Sequence, residues 1–317
     1  MKKMFVILII ISSIMLLLPL SVMGKNEETK SVEMSNTSLK VEKEQKDTFN
    51  VLDKQSGKVV KMDVGEYIFS VVAAEMPALY EEEAIKAQAV AAYTFALIRK
   101  NENSNKEYDI TTDFTVDQSF ISREDVRKKW GDKADEYENK IEGAIEDVKG
   151  YKVTYNGELA LTVYHALSCG KTESSENVWG KAFPYLEPVL SEWDKLHSDY
   201  ISEETFSATE IKEKFGEIDF KGEEKNYFTN LSKTKSGMVK SISVCGKEMS
   251  GNEVRSVLNL RSASFETEYS EGGFKFTVYG YGHSVGMSQY GADCMAKQGS
   301  DFKEILTYYY NGCKIKK

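Results

Sequence analysis

Apolar and polar positions follow three successive patterns along this chain. Residues 4–23, MFVILIIISSIMLLLPLSVM, contain no charge. Residues 25–47, KNEETKSVEMSNTSLKVEKEQKD, are charged, lack aromatics and show no apolar period, as expected of a solvated tether. From Thr48 the pattern becomes that of a folded domain. TFNVLDKQSGKVVKMD reads as two short strands around a Ser-Gly turn. In VGEYIFSVVAAEMP, Ile68, Val71 or Val72, and Glu75 fall on one helical face, and Pro77 ends the helix. The spacing then predicts a longer helix over residues 80–100. Glu81 to Glu83 lie in its first turn and Arg99 and Lys100 in its last, matching the helix dipole. Its stripe of Ala87, Val90, Ala91, Thr94 and Leu97/Ile98 is small enough for close packing on a neighbour.

Residues 132–150 predict an amphipathic helix closed by Gly150. Asn156-Gly157 is a hairpin turn between expected strands 151–155 and 158–166. Residues 195–250 are polar and weakly patterned, with SATEIKEKF a short capped helix. FKFTVYGYG reads as a strand entering a glycine loop. SQYGADCMAKQG and DFKEILTYYYNG read as the closing helices. No internal repeat is evident. Helices and strands alternate without regular βαβ units, so the expected class is α+β, a larger lobe and a smaller second lobe around a substrate cleft.

Lys2 and Lys3 before the apolar stretch favour an N-terminal anchor, with the rest of the chain extracytoplasmic at the cell membrane. A cleaved signal peptide, with Val22 and Gly24 at the small-residue positions, is the alternative and would release a secreted protein. The expected organisation is therefore residues 1–24 as anchor or signal, 25–47 as tether and 48–317 as the extracytoplasmic region, with 195–265 an accessory lobe.

Charge narrows the partners. Lys and Arg number 41 against 50 Asp and Glu, so no basic stripe is available for nucleic acid. The four cysteines, Cys169, Cys245, Cys294 and Cys313, are too sparse for a disulfide scaffold and form no CxxC or Cys/His cluster. They read as free or optionally bridged thiols, and no metal or other cofactor is expected.

Three segments carry candidate chemistry. In VVAAEMPALY one carboxyl, Glu75, interrupts an apolar run. A carboxyl on a buried face is held neutral by desolvation, the state required of a general acid that protonates a glycosidic oxygen. A buried, paired glutamate is the alternative. In VYHALSCGKTESSENVWGKAFPYL, residues 163–186, hydroxyls, amides and the aromatic rings of Trp179 and Tyr185 suit sugar recognition. A surface loop with Trp179 as a core plug is the alternative. In VYGYGHSVGMSQYGA, residues 278–292, glycines surround His283, Ser288 and Gln289. The glycine spacing does not fit a dinucleotide fingerprint.

Together these segments resemble the stage II sporulation protein D family and its relatives, the amidase enhancers. YIFSVVAAEMPALYEEEAIKAQAVAAYTFAL, HALSCGKTESSENVWGKAFPYLEPVLSEWD, LNLRSASF and GYGHSVGMSQYGADCMAKQGSDFKEILTYYYNG stand in that family's order over most of residues 50–315. The resemblance implies a peptidoglycan lytic transglycosylase acting in engulfment during sporulation, on glycan strands already stripped of stem peptides. The implied partner is an amidase/endopeptidase, stage II sporulation protein P. Glu75 would be the single catalytic acid and base, forming 1,6-anhydro-muramyl ends. Gln88, Ser168, Glu173, His283 and Gln289 are the implied groove residues. The family's arginine after QAVAA is Tyr93 here, and Lys171 is the candidate substitute. Residues 108–122 lack the Cys and His ligands that bind zinc in some members. Two alternatives stand beside this reading: a non-catalytic enhancer of a cell-wall amidase, and a thiol enzyme pairing Cys169 with His165 or His283.

Overall fold

The computed structural model describes residues 47–317. The expected anchor, and the tether up to residue 46, lie outside the described residues. Among the described residues no helix is long and apolar enough to cross a membrane.

The first hairpin forms as its pattern predicts, with Thr48–Leu52 antiparallel to Val59–Asp63 and a short strand, Ile110–Thr111, parallel on the other edge. Asp63 then starts the Val64–Glu75 helix, its side chain accepting from Gly65 N at 2.8 Å. The helix buries Ile68, Val71 and Val72. It ends where Met76, the residue before Pro77, turns extended. Glu75 is its last residue, half-buried where the buried face meets the surface.

The Glu82–Glu102 helix is the scaffold's axis. Its alanines at 84, 87, 89, 91, 92 and 96 are buried, and the small side chains let four other helices pack on it. These are Val64–Glu75, Ala134–Asp147, Gln289–Lys297 and Phe302–Tyr309. This packing forms the larger hydrophobic cluster. A second cluster is built from Phe265, Phe274, Phe276 and Val278 with Val239, Ile242 and Val244. Its strands form two three-stranded antiparallel sheets, one centred on Gly273–Tyr279 and one on Val239–Val244. The helices Ala208–Lys214 and Gly251–Leu258 each begin with a capping box, from Ser207 and Ser250. Helices and mainly antiparallel strands thus make the expected α+β class.

Two elements differ from the sequence pattern. The helix expected at 132–150 is preceded by another, Arg123–Trp130, capped by Ser122, and the two are joined by a 3-10 turn at Gly131–Lys133. The strand expected at 158–166 breaks after Leu159. There the backbone is held by side chains: Leu161 N donates to the Tyr185 hydroxyl, and Thr162 donates to the Ala91 carbonyl. The chain resumes as Tyr164–His165, which leaves the hairpin to pair in parallel with Met287–Ser288. That pairing brings two of the three candidate segments together.

Candidate active site

Glu75 is gripped from two distant parts of the chain. Ser119 N donates to Oε1 at 3.0 Å, and Gln289 Nε2 approaches Oε2 at 3.5 Å. Gln289, at the start of its helix, also donates to Gln88 Oε1 at 3.4 Å. Behind Ser119 the neighbouring side chain is locked. Gln118 Oε1 accepts from the Tyr164 hydroxyl at 2.7 Å, while its Nε2 donates to Tyr67 at 3.3 Å and to the Ala92 carbonyl at 3.4 Å. Burial, and then the nearby Glu75 carboxylate, push the Tyr164 phenol far above its ordinary value, so it remains a donor. Gln88, Gln289 and Gln118 are all buried. The acid therefore rests on a polar network that the helical core encloses.

The buried acids are otherwise engaged. Asp117 pairs with Arg99 and accepts from Thr111 N. Asp194 accepts from Ser168 and Ser288. Asp293 accepts from Glu81 N and pairs with Lys297. Glu173 accepts from Ser174 N, Asn177 and Thr234. Glu75 differs: it is only partly buried, and Oε2 has a single long contact among the described residues.

A second group gathers around His283. Its ring lies 5.3 Å from Trp179 and 5.8 Å from His165, centroid to centroid. One residue, Val285, sets both histidines. Val285 N donates to His283 Nδ1 at 3.1 Å, so the neutral ring carries its proton on Nε2. The Val285 carbonyl lies 3.1 Å from His165 Nδ1 and can only accept, so His165 is protonated there and bare at Nε2. Burial is the main cause holding His165 down to about 3 and His283 to about 4. Close packing needs glycine on this loop. At Gly282, with φ +116°, an added Cβ would lie 2.7 Å from His165 Cβ, and at Gly286 it would lie 2.1 Å from the Val163 carbonyl.

The remaining expected groove residues are placed differently. Ser168 is fully buried and bonds Asp194 at 2.6 Å. Glu173 is buried on the partners given above, and Tyr185 is buried against Tyr155 with its hydroxyl on Leu161 N. These three hold the polar loop in shape. Tyr93 lies about 140° around its helix from Gln88 and has Asp47 as its charged neighbour. Lys171 is half-buried, bridges to Leu190 through its backbone and makes no ion pair among the described residues. Trp179, 41% exposed, is open to solvent rather than a core plug. Cys169 Sγ bonds the Ser236 carbonyl at 2.8 Å, and burial raises its thiol, which removes the basis for a Cys-His nucleophile. All four cysteines are free.

Sequence spacing missed Ser119, Gln118 and Tyr164. Ser119 contributes a backbone amide, which no side-chain pattern reveals. Among the described residues no group of three or more His, Cys, Asp or Glu side chains could hold a metal ion.

Comparison with known proteins adds a separate line. A family model described as Stage II sporulation protein matches residues 53–155. The chain is 34% identical over 260 residues to Stage II sporulation protein D of Bacillus amyloliquefaciens, covering 81% of this chain and 75% of that one. It is 36% identical over 261 residues to the protein of the same name from Bacillus subtilis (strain 168), again covering 81% and 75%. A more distant relative, the amidase enhancer of Bacillus subtilis (strain 168), is 25% identical over 299 residues, covering 77% of this chain and 39% of the relative.

Proposed function

The chain belongs to the stage II sporulation protein D family, with a role in sporulation, and from that premise we propose that it is a lytic transglycosylase acting on peptidoglycan glycan strands. The observation that carries the reading is the setting of Glu75: partly buried, with one oxygen tied to a backbone amide and the other held only by a long contact from a carboxamide. In this mechanism Oε2 carries the transferable proton, because Oε1 is held by the closer donor, Ser119 N at 3.0 Å against 3.5 Å for Gln289 Nε2 at Oε2. Oε2 gives that proton to the glycosidic oxygen as the C1–O4 bond breaks. The resulting carboxylate then takes the proton of the same sugar's 6-hydroxyl as O6 bonds to C1. The product is a 1,6-anhydro ring, the proton returns to its starting atom, and no water is consumed. One carboxyl suffices, unlike the paired acids of hydrolytic glycosidases, and the saturation of the other buried acids fits this economy.

In this reading the region after residue 47 works outside the membrane, tethered through the N-terminal apolar stretch. An amidase/endopeptidase partner, stage II sporulation protein P, strips the stem peptides first. The likeness to an amidase enhancer supports a second reading, a glycan-binding protein that stimulates an amidase. Incubating the chain with peptide-free glycan and analysing the ends by mass spectrometry separates the two. Anhydromuramyl ends that vanish in Glu75→Gln support the transglycosylase. Binding without any such ends supports the enhancer.

A further inference from the structure

We propose that Asp194 is a positioning residue for Glu75: it clasps the short strand pair from which both oxygens of that carboxyl are held. This deepens the glycan-cleaving reading above and rests on it for the reaction, though not for the placement of the carboxyl.

Both supports of Glu75 trace to one joint. The joint is the parallel pairing of Tyr164–His165 with Met287–Ser288, two residues on each strand. On the first strand the Tyr164 hydroxyl donates to Gln118 Oε1, and the residue after Gln118, Ser119, gives its N–H to Glu75 Oε1. On the second strand Ser288 caps the Gln289–Lys297 helix, its hydroxyl accepting from Gly291 N at 3.1 Å. Gln289, the first residue of that helix, brings Nε2 to Glu75 Oε2 and to Gln88 Oε1. A slip of one strand against the other would therefore move both supports at once.

So short a pairing has few ladder bonds with which to resist a slip. Asp194 supplies the missing restraint. It is fully buried, in the 3-10 turn Glu192–Leu196. Its Oδ2 accepts from Ser168 N at 2.8 Å and from Ser168 Oγ at 2.6 Å, just beyond the first strand. Its Oδ1 accepts from Ser288 Oγ at 2.7 Å, on the second strand. One carboxyl thus ties the two strands together.

The chemistry of this clasp separates it from core filling. A carboxyl buried away from water is unfavourable unless its oxygens are filled. The buried side chains of Asp117 and Asp293 are offset by Arg99 and Lys297. Asp194 makes no ion pair among the described residues and depends on the serine donors. An apolar side chain of its size would fill the same space without that cost, so what the carboxyl adds is its bonds to the two strands. The packing around the cap is also tight. A Cβ on Gly291 would strike the hydroxyls of Tyr309 and Ser191, which lie 2.9 Å apart.

The test reads the placement of Glu75 first without turnover and then with it, using the full-length chain in detergent. Hydrogen exchange is followed at the Ser119 amide, which is bonded to Glu75, with the Thr111 amide, bonded to Asp117, as the internal reference. Asp194→Ala is expected to speed exchange at Ser119 by about tenfold and to leave Thr111 unchanged. Asp194→Asn, which keeps the shape and one acceptor, is expected to have a smaller effect. Ser288→Ala cuts the same link at its other end, is expected to act like Asp194→Ala, and replaces it if that variant does not fold. On peptide-free glycan, Asp194→Ala and Ser288→Ala are expected to lose about ten- to a hundredfold in kcat with KM little changed. Exchange at Ser119 that keeps the wild-type rate while Gly291 exchanges faster would make Asp194 a local brace and overturn the proposal. A rise in KM at constant kcat would overturn it as well. If the wild-type chain yields no anhydro ends while Ser119 still responds to Asp194→Ala, the cleavage reading fails and the positioning role stands.

Discussion

Ser119 lends its backbone N–H to Glu75 Oε1 at 3.0 Å, across 44 positions of sequence. In the proposed mechanism this contact occupies Oε1 and leaves Oε2 to carry the mobile proton, and it is indifferent to the serine side chain. Ser119→Ala should therefore cleave peptide-free glycan at close to the wild-type rate, whereas Ser119→Pro, which removes the donor, should be slow. A large loss in the alanine variant, measured by release of anhydromuramyl ends, would move the role to the hydroxyl.

Glu75→Gln keeps the shape and an acceptor for Ser119 but has no proton to give. General acid–base contributions of about 10²–10⁴ set the expected loss of cleavage. The melting temperature should stay near that of the wild type. Retained turnover in this variant would show that another group supplies the proton.

Tyr164→Phe removes the donor at Gln118 Oε1, inside a pocket where Gln118 is only 4% exposed. The unpaired oxygen should reduce unfolding free energy by about 1–3 kcal/mol in urea titrations. Because Gln118 fixes the peptide that reaches Glu75, kcat should fall while KM changes little. A change in KM alone would make Tyr164 a substrate contact.

The histidine pair predicts acid sensitivity. Burial lowers His165 from the ordinary 6.5 to about 3 in the folded protein. As pH drops below 6.5 the unfolded chain takes up this proton first, so stability is full at neutral pH and declines between 6.5 and about 3. At pH 5 the loss is about 2 kcal/mol for this residue. His283, held at about 4, adds in the same direction. Urea denaturation at pH 7 and pH 5 should show a smaller difference for His165→Gln than for the wild type. An unchanged difference would mean that other groups carry the acid response.

Ser168→Ala removes one of the hydroxyls on buried Asp194, leaving the donors Ser168 N and Ser288. Stability should drop by about 1–2 kcal/mol, with glycan affinity unchanged in a binding titration. Weakened binding at equal stability would return Ser168 to the groove.

The local features of the fold were legible because they depend on local physics. The 3.6-residue spacing of Ile68, Val71 and Val72, the alanine stripe around Ala87 and Ala91, and the turn at Asn156-Gly157 all follow rules that act within a few residues. Glu75 stood out for the same reason, as a carboxyl at the end of an apolar face. The polar loop was harder. Ser168 and Glu173 look like surface groups in sequence, but their partners, Asp194 and Thr234, lie 26 and 61 positions away. Tyr164–His165 looked like the end of a hairpin strand, and only its pairing with Met287–Ser288 shows that it belongs to another sheet.

Glu75 and Gln289 are separated by 214 positions, which has a consequence for biogenesis. A ribosome makes the acid early and the amide near the end. Until the last helices dock on the alanine-rich axis, the carboxyl lacks the Gln289 carboxamide that completes its surroundings. On the proposed mechanism, a nascent or prematurely terminated chain would thus carry the residue without the reactivity, and glycan cutting would be deferred until synthesis is nearly complete.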